Sequence, residues 1–230
     1  MDGLPQLGLY RRGTGLALIV APALFLVDNL LHPKELERGN EARQLAEIAE
    51  HYTRWQAAHA IGFVAIVLFA AAVLGLAFLV RRRQPVLGLV AGAAALAGLI
   101  GLGSVIVLDG YTWAIVGEAS AKPDVGVGAA AVVLHDVQQS DWSLLYYLVP
   151  VGFVLGLLAL AVGAARQGAV PVWAAGLLAL ATLMTGTETM IVSNAYFVAG
   201  AVVLMGGGIA MAVPLLRMTD AEFAAGGPGG

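Results

Sequence analysis

The sequence predicts an all-α integral membrane protein: a six-transmembrane-helix bundle with a partly helical cap on its outer face. Three observations predict it. Of 230 residues, 60% are hydrophobic and only 12% are charged, about half the charge a soluble domain uses to cover its surface. Six stretches reach the roughly 20 apolar residues that a helix needs to cross hydrocarbon. The ten-residue alternation of a membrane β-barrel is absent. High hydrophobicity also excludes intrinsic disorder. With no cysteine in the chain, disulfides, thiolate metal sites and cysteine catalysis are excluded.

The spans are expected at about 13–31, 57–80, 85–108, 143–165, 170–192 and 195–216. Pro22 should kink the first. Arg11-Arg12 before an apolar run imitates a secretion signal. The run is too long, however, and Asp28-Asn29 stands where a small-residue cleavage site belongs, so it reads as a retained span. After it, Asn40 is a good N-cap with Glu41 in the first turn. Leu45, Ile48, Tyr52 and Trp55 follow at helical spacing. No proline or glycine intervenes, so this helix should run unbroken into the second span. Tyr52 and Trp55 read as interfacial anchors, and His59 falls on the same stripe.

The third span is rich in Gly and Ala, which permits close helix packing. Beyond it, Asp109-Gly110 opens a second long outer loop, 109–142, carrying Tyr111 and Trp113. Pro123-Asp124 marks a helix start, and the segment after it reads as a short apolar helix on the surface or re-entrant. Trp142, Tyr146 and Tyr147 mark the fourth span's interface. The fifth span is clean except for Glu188, and Gly206-Gly207-Gly208 lies in the sixth. Residues 221–230 should form a flexible tail. The units starting at Trp55 and Trp142 share a layout of span, short basic turn, proline and span (Pro85, Pro171); this is common membrane grammar and no proof of duplication.

Alternating six spans puts Arg11, Arg12, Arg81, Arg82, Arg83, Arg166 and Arg217 on one side, 7 basic residues against 3 acidic ones. The other side holds 5 basic and 12 acidic residues. The positive-inside rule then makes both termini cytoplasmic in a multi-pass plasma-membrane protein. The arginine run is a topology anchor, and no nucleic-acid partner is expected.

Ionisable groups inside spans are costly and therefore functional candidates. All 4 histidines fall on the outer side, and no span carries a charge in its cytoplasmic half. The leading expectation is an outward-facing polar pocket for a small or lipid-like ligand. Asp28, His59 and Glu188 would supply acid–base groups, and Asp109, Trp113, His135, Tyr146 and Tyr196 would line it. Asp28 and His32, four apart, share a helix face. A divalent metal ion held by His59, His135, Asp109 and Glu188 is a variant of this reading, since imidazole and carboxylate are the usual ligands without thiolates. No HExxH or other diagnostic spacing supports it. The competing readings are a non-enzymatic scaffold or accessory subunit whose Gly/Ala faces dock a partner or a second copy, and a carrier for neutral solutes. Membrane lipids are expected partners throughout. A retinal site is excluded because both lysines, Lys34 and Lys122, lie in outer loops.

Overall fold

The computed structural model describes residues 4–32, 40–122, 126–139, 150–187 and 193–228. Among these the chain is helical, with no strand. The helices are α1 (Leu4–Leu31), α2 (Glu41–Glu50), α3 (Tyr52–Arg81), α4 (Pro85–Leu108), α5 (Ala114–Ser120) and α6 (Val127–Gln139). They continue with α7 (Leu155–Arg166), α8 (Val172–Thr187), α9 (Asn194–Arg217) and α10 (Asp220–Ala225). π-helical turns join α4 to α5 at Asp109–Trp113 and precede α7 at Pro150–Val154.

Four helical runs are long and apolar enough to cross a membrane: Gln6–Leu31, Tyr52–Arg81, Pro85–Ser120 and Ala195–Arg217. Val151–Arg166 and Val172–Thr187 are apolar but shorter. The rest of the expected fourth and fifth spans, 143–149 and 188–192, lies outside the described residues. The helices pack as a closed ring in the order α1, α3, α4, α7, α8, α9 and back to α1. Leu18, Leu76, Leu99, Leu157, Leu178 and Leu204 fill its interior. Small residues let backbones meet, as the Gly/Ala composition predicts. A Cβ on Gly98 would strike the backbone of Phe153, and one on Gly156 the backbone of Ala95. Gly208 likewise sits on the Leu18 carbonyl. The ring's outside is greasy, with Leu9, Val86, Leu89, Ile100 and Val172 each at least two-thirds exposed. Water does not tolerate so much contiguous apolar surface, and four of the helices are long and apolar enough to cross a membrane.

Three expectations are corrected. The α2 helix does not run unbroken into the second long helix. It stops at Glu50, and His51 leaves helical geometry (φ −113°, ψ 30°) before α3 starts. Nor does the chain leave the helix at Asp109. The helical path runs from Pro85 to Ser120, because no proline interrupts it before Pro123 and Gly110 is accommodated in the π turn. Third, residues expected as a flexible tail are folded up to Pro228. Thr219 caps α10 in a reciprocal box with Glu222, and Gly226, at φ 84°, closes it. Phe223 is fully buried and stacks on Phe78 at 5.7 Å. Arg83 donates to the carbonyls of Ala225 (3.2 Å) and Gly227 (3.0 Å). Arg11 donates to Asp220 at 2.8 Å and to the Leu216 carbonyl at the end of α9. These contacts bring Arg11 and Arg83 to one end of the bundle; His32 and His59 lie at the opposite end.

Candidate functional site

The histidine end is assembled from the last turn of α1, the first turns of α3 and the π turn after α4. Arg54 ties the first two together. Its guanidinium donates to the carbonyls of Leu31 (2.5 Å) and Leu30 (3.2 Å). These are orphan acceptors at a helix C-terminus, where a cation is favoured.

Trp55 is the hub. It is only 2% exposed, with its ring centroid 4.7 Å from His32, 4.3 Å from His59 and 6.4 Å from Trp113. The His32 and His59 rings are themselves 5.2 Å apart. The indole Nε1 donates to the Gly110 carbonyl at 3.3 Å. A π turn pairs each N–H one residue further back than an α turn does, which loosens the carbonyl ladder locally. Its position here lets the Gly110 carbonyl serve a side chain. Trp55 thus completes its one donor inside an apolar cluster with Ile48 and Ala114. It is a core residue and not the expected interfacial anchor.

Two glycines admit the site's titratable groups. A Cβ on Gly110 would stand 2.6 Å from the Cβ of His59, and one on Gly62 would stand 2.9 Å from Oδ2 of Asp28. The α4–π turn therefore presses directly on the His59 side chain, and Asp28 lies against α3 one turn beyond His59. His59 Nδ1 lies 2.8 Å from the Trp55 carbonyl. A carbonyl only accepts, so Nδ1 carries the proton in this bond, and Nε2 is the accepting nitrogen of the neutral ring. Both Asp28 and His59 are half-buried.

Below this crown an apolar groove of about 660 Å³ runs between α3 and α4. Phe63, Ile66, Val67 and Ala70 form one wall, and Leu99, Ile100, Gly103, Ser104 and Val107 are among the residues of the other. At 100° per residue, His59 belongs to the same α3 stripe as Phe63, Ile66 and Ala70. The groove's upper rim is thus one helical turn from the imidazole. Ser104 adds little polarity, because its hydroxyl is turned onto the Ile100 carbonyl at 2.9 Å.

The structure brings Asp28, His59 and Trp113 to this end of the bundle. It adds His32, Trp55 and Gly110 to them. Asp109 is half-buried in the π turn, and His135 is exposed on α6 in the cap. The cap itself is a separate small core of Leu45 and Ala130 with Trp113 and Val116. Tyr196 bonds elsewhere, its hydroxyl 2.7 Å from Thr187 Oγ1 across α8 and α9. Glu188 and Tyr146 lie outside the described residues. The expected metal set finds no support: among the described residues, no three His, Asp or Glu side chains are gathered closely enough to hold an ion. His59 is also committed to packing on Trp55 and bonding its carbonyl.

His32 had a signal in the sequence, its four-residue spacing from Asp28. Trp55 had one too, four residues before His59. The Gly110 carbonyl had none, since nothing in the local sequence announces a π turn. Comparison of the chain with known protein families, with characterised proteins and with solved structures returns no match.

Proposed function

We propose that this chain is a six-span protein of the plasma membrane, with both termini cytoplasmic, that binds one amphiphilic, lipid-like ligand. The ligand's chain lies in the α3–α4 groove and its polar head meets His59 at the outward-facing crown. The observation that carries this reading is continuity: the apolar groove ends one turn below an imidazole whose Nε2 is an acceptor. A volume of about 660 Å³ lies within the 300–1,000 Å³ typical of small-molecule sites. An acceptor at the head suits a hydroxyl or amide donor. Asp28 and His59 are the residues that would exchange a proton with such a head, should the bound molecule be transformed.

The orientation is supported by seven arginines at one end and the positive-inside rule. Six crossings are supported by the closed ring, in which the two shorter helices occupy the same rank as the four long ones. The scaffold alternative draws less support. Several glycines that could dock a partner are occupied internally, Gly98 by Phe153, Gly156 by Ala95 and Gly207 by Leu178, although Gly13 and Gly176 face open space.

The test is lipid extraction and native mass spectrometry of the purified full-length protein. Wild type should retain one amphiphile per chain. Ser104→Trp, which fills the groove from a half-buried position on its wall, should lose it while remaining folded. His59→Ala should weaken retention about tenfold, as expected for one lost hydrogen bond of about 1 kcal/mol plus lost contact. Equal retention by wild type and Ser104→Trp would overturn the proposal.

A further inference from the structure

At the arginine end, Phe78 stands at the centre of a stack built from three elements. Tyr10 of α1 lies 6.1 Å away at 21°, and Phe223 of α10 lies 5.7 Å away at 20°. Arg81 and Arg82, one turn further along α3, both return to this ring. Their guanidinium carbons stand 5.2 Å and 4.4 Å from its centroid, inside cation–π range. Both arginines are exposed. Two other cations of this neighbourhood are already used. Arg11 is paired with Asp220, and Arg83 donates to backbone carbonyls of Ala225, Gln167 and Gly227. Glu222 is committed to the Thr219 cap. Among the described residues, no carboxylate lies within ion-pairing distance of Arg81 or Arg82.

Two exposed guanidinium groups drawn to one ring concentrate positive charge at one spot of the surface, which favours an anion. The surroundings say which kind. Leu9 is 75% exposed and Tyr10 58% exposed, so α1's greasy lateral surface reaches this level of the bundle. The pair sits where that surface gives way to the charged end; on the membrane reading proposed above, that is the depth of a lipid phosphate. All 7 basic residues assigned to this end by the sequence are arginine. Arginine's planar fork matches phosphate oxygens in a way that a lysine ammonium does not.

From this geometry we infer that Arg81 and Arg82, positioned by the Tyr10–Phe78–Phe223 stack, form a binding site for the phosphate of an anionic phospholipid. The chains of that lipid lie along the exposed face of α1. The site is separate from the α3–α4 groove, and its ligand carries a net negative charge.

The full-length protein, equilibrated with mixed phosphatidylcholine and phosphatidylglycerol vesicles, tests this through the lipids retained in native mass spectrometry. Wild type should retain phosphatidylglycerol preferentially. Arg81→Gln with Arg82→Gln should reduce that preference about thirtyfold, roughly fivefold for each basic side chain. Arg166→Gln with Arg217→Gln removes the same charge from the same end and should leave most of it. Arg81→Lys with Arg82→Lys keeps the charge and should still weaken retention. Thermal unfolding in neutral detergent checks that each variant is folded. Equal losses in the two glutamine pairs would mean a diffuse field and overturn the site. Displacement of the lipid by an equal concentration of inorganic phosphate would overturn its assignment to a phospholipid.

Discussion

Gln84 and Gln167 serve one another's helices. Gln84 Nε2 donates to the Gly163 carbonyl at 3.0 Å, and Gln167 Nε2 donates to the Leu79 carbonyl at 3.1 Å. Each side chain leaves its own interhelical turn and satisfies an acceptor in the last turn of the helix entering the other. The α3–α4 and α7–α8 hairpins are therefore latched reciprocally. The two residues are not equivalent, since Oε1 of the buried Gln167 has no hydrogen-bond partner among the described residues. Gln84→Met should cost about 1 kcal/mol, the usual worth of one such bond. Gln167→Met loses a bond too but also removes a buried, unpaired oxygen, so it should cost less. Thermal unfolding of both variants in the same detergent ranks them. A larger loss for Gln167→Met would show that its oxygen is satisfied by water.

Trp55→Phe keeps an aromatic ring among His32, His59 and Trp113 but deletes the donor to Gly110. The Gly110 carbonyl is then buried with one partner fewer. A loss of about 1–2 kcal/mol is expected, concentrated at the histidine end. Hydrogen exchange should quicken in 109–120 and stay unchanged in α8 and α9. Uniform acceleration across the bundle would mean that Trp55 is not a local hub.

Gly98 and Gly176 should respond oppositely to alanine. At Gly98 the added Cβ meets the Phe153 backbone, and backbone cannot step aside. The α4–α7 crossing must open, and a loss of about 1–3 kcal/mol is expected for such overpacking. At Gly176 a Cβ meets nothing within 4 Å, so alanine should be neutral or stabilise by up to about 1 kcal/mol through helix propensity. Paired melting curves decide the point.

The α10 cap should respond to acid. Glu222 accepts hydrogen bonds from the Thr219 backbone and hydroxyl, which hold its carboxyl below the usual glutamate range. A depressed folded-state pKa adds stability above the unfolded value, and that contribution is lost as pH falls through the folded one. Amide exchange in 219–226, corrected for intrinsic rate, should therefore rise on acidification below the normal glutamate range. Glu222→Gln should abolish the pH dependence. A wild-type profile as flat as the variant's would argue against the box.

Asp28 and His59 were visible in the sequence for a simple reason: a lone ionisable group in a greasy run has few bland explanations. The helix positions were visible because the apolar runs are long and separated by arginine or proline. Trp55 was misjudged because a tryptophan near a span end is usually an anchor, and one sequence cannot show that two histidines will cover its faces. The metal quartet finds no support among the described residues, and Glu188 lies outside them; it was matched by residue type without the distances that chelation demands. The folded C-terminal segment had a readable sign, Thr219-Asp220-Ala221-Glu222, a helix start signature. The glycines on either side of it drew attention to flexibility instead. Its burial depends on Phe78 and Arg11, more than a hundred residues away, and no local pattern reports such a partner.

The turn at Asp109–Trp113 works as a phase absorber. Relative to an uninterrupted α-helix it holds one surplus residue, and each residue is worth about 100° of rotation. Its looser winding takes up that angle, so Trp113 to Ser120 keep the azimuth of the helix below. Deleting Thr112 would remove the surplus residue and the bulge together and leave the upper assembly in phase, at the expense of the carbonyl that Trp55 uses. Deleting a residue from the regular winding of Pro85–Leu108 instead would swing everything above it by about 100°.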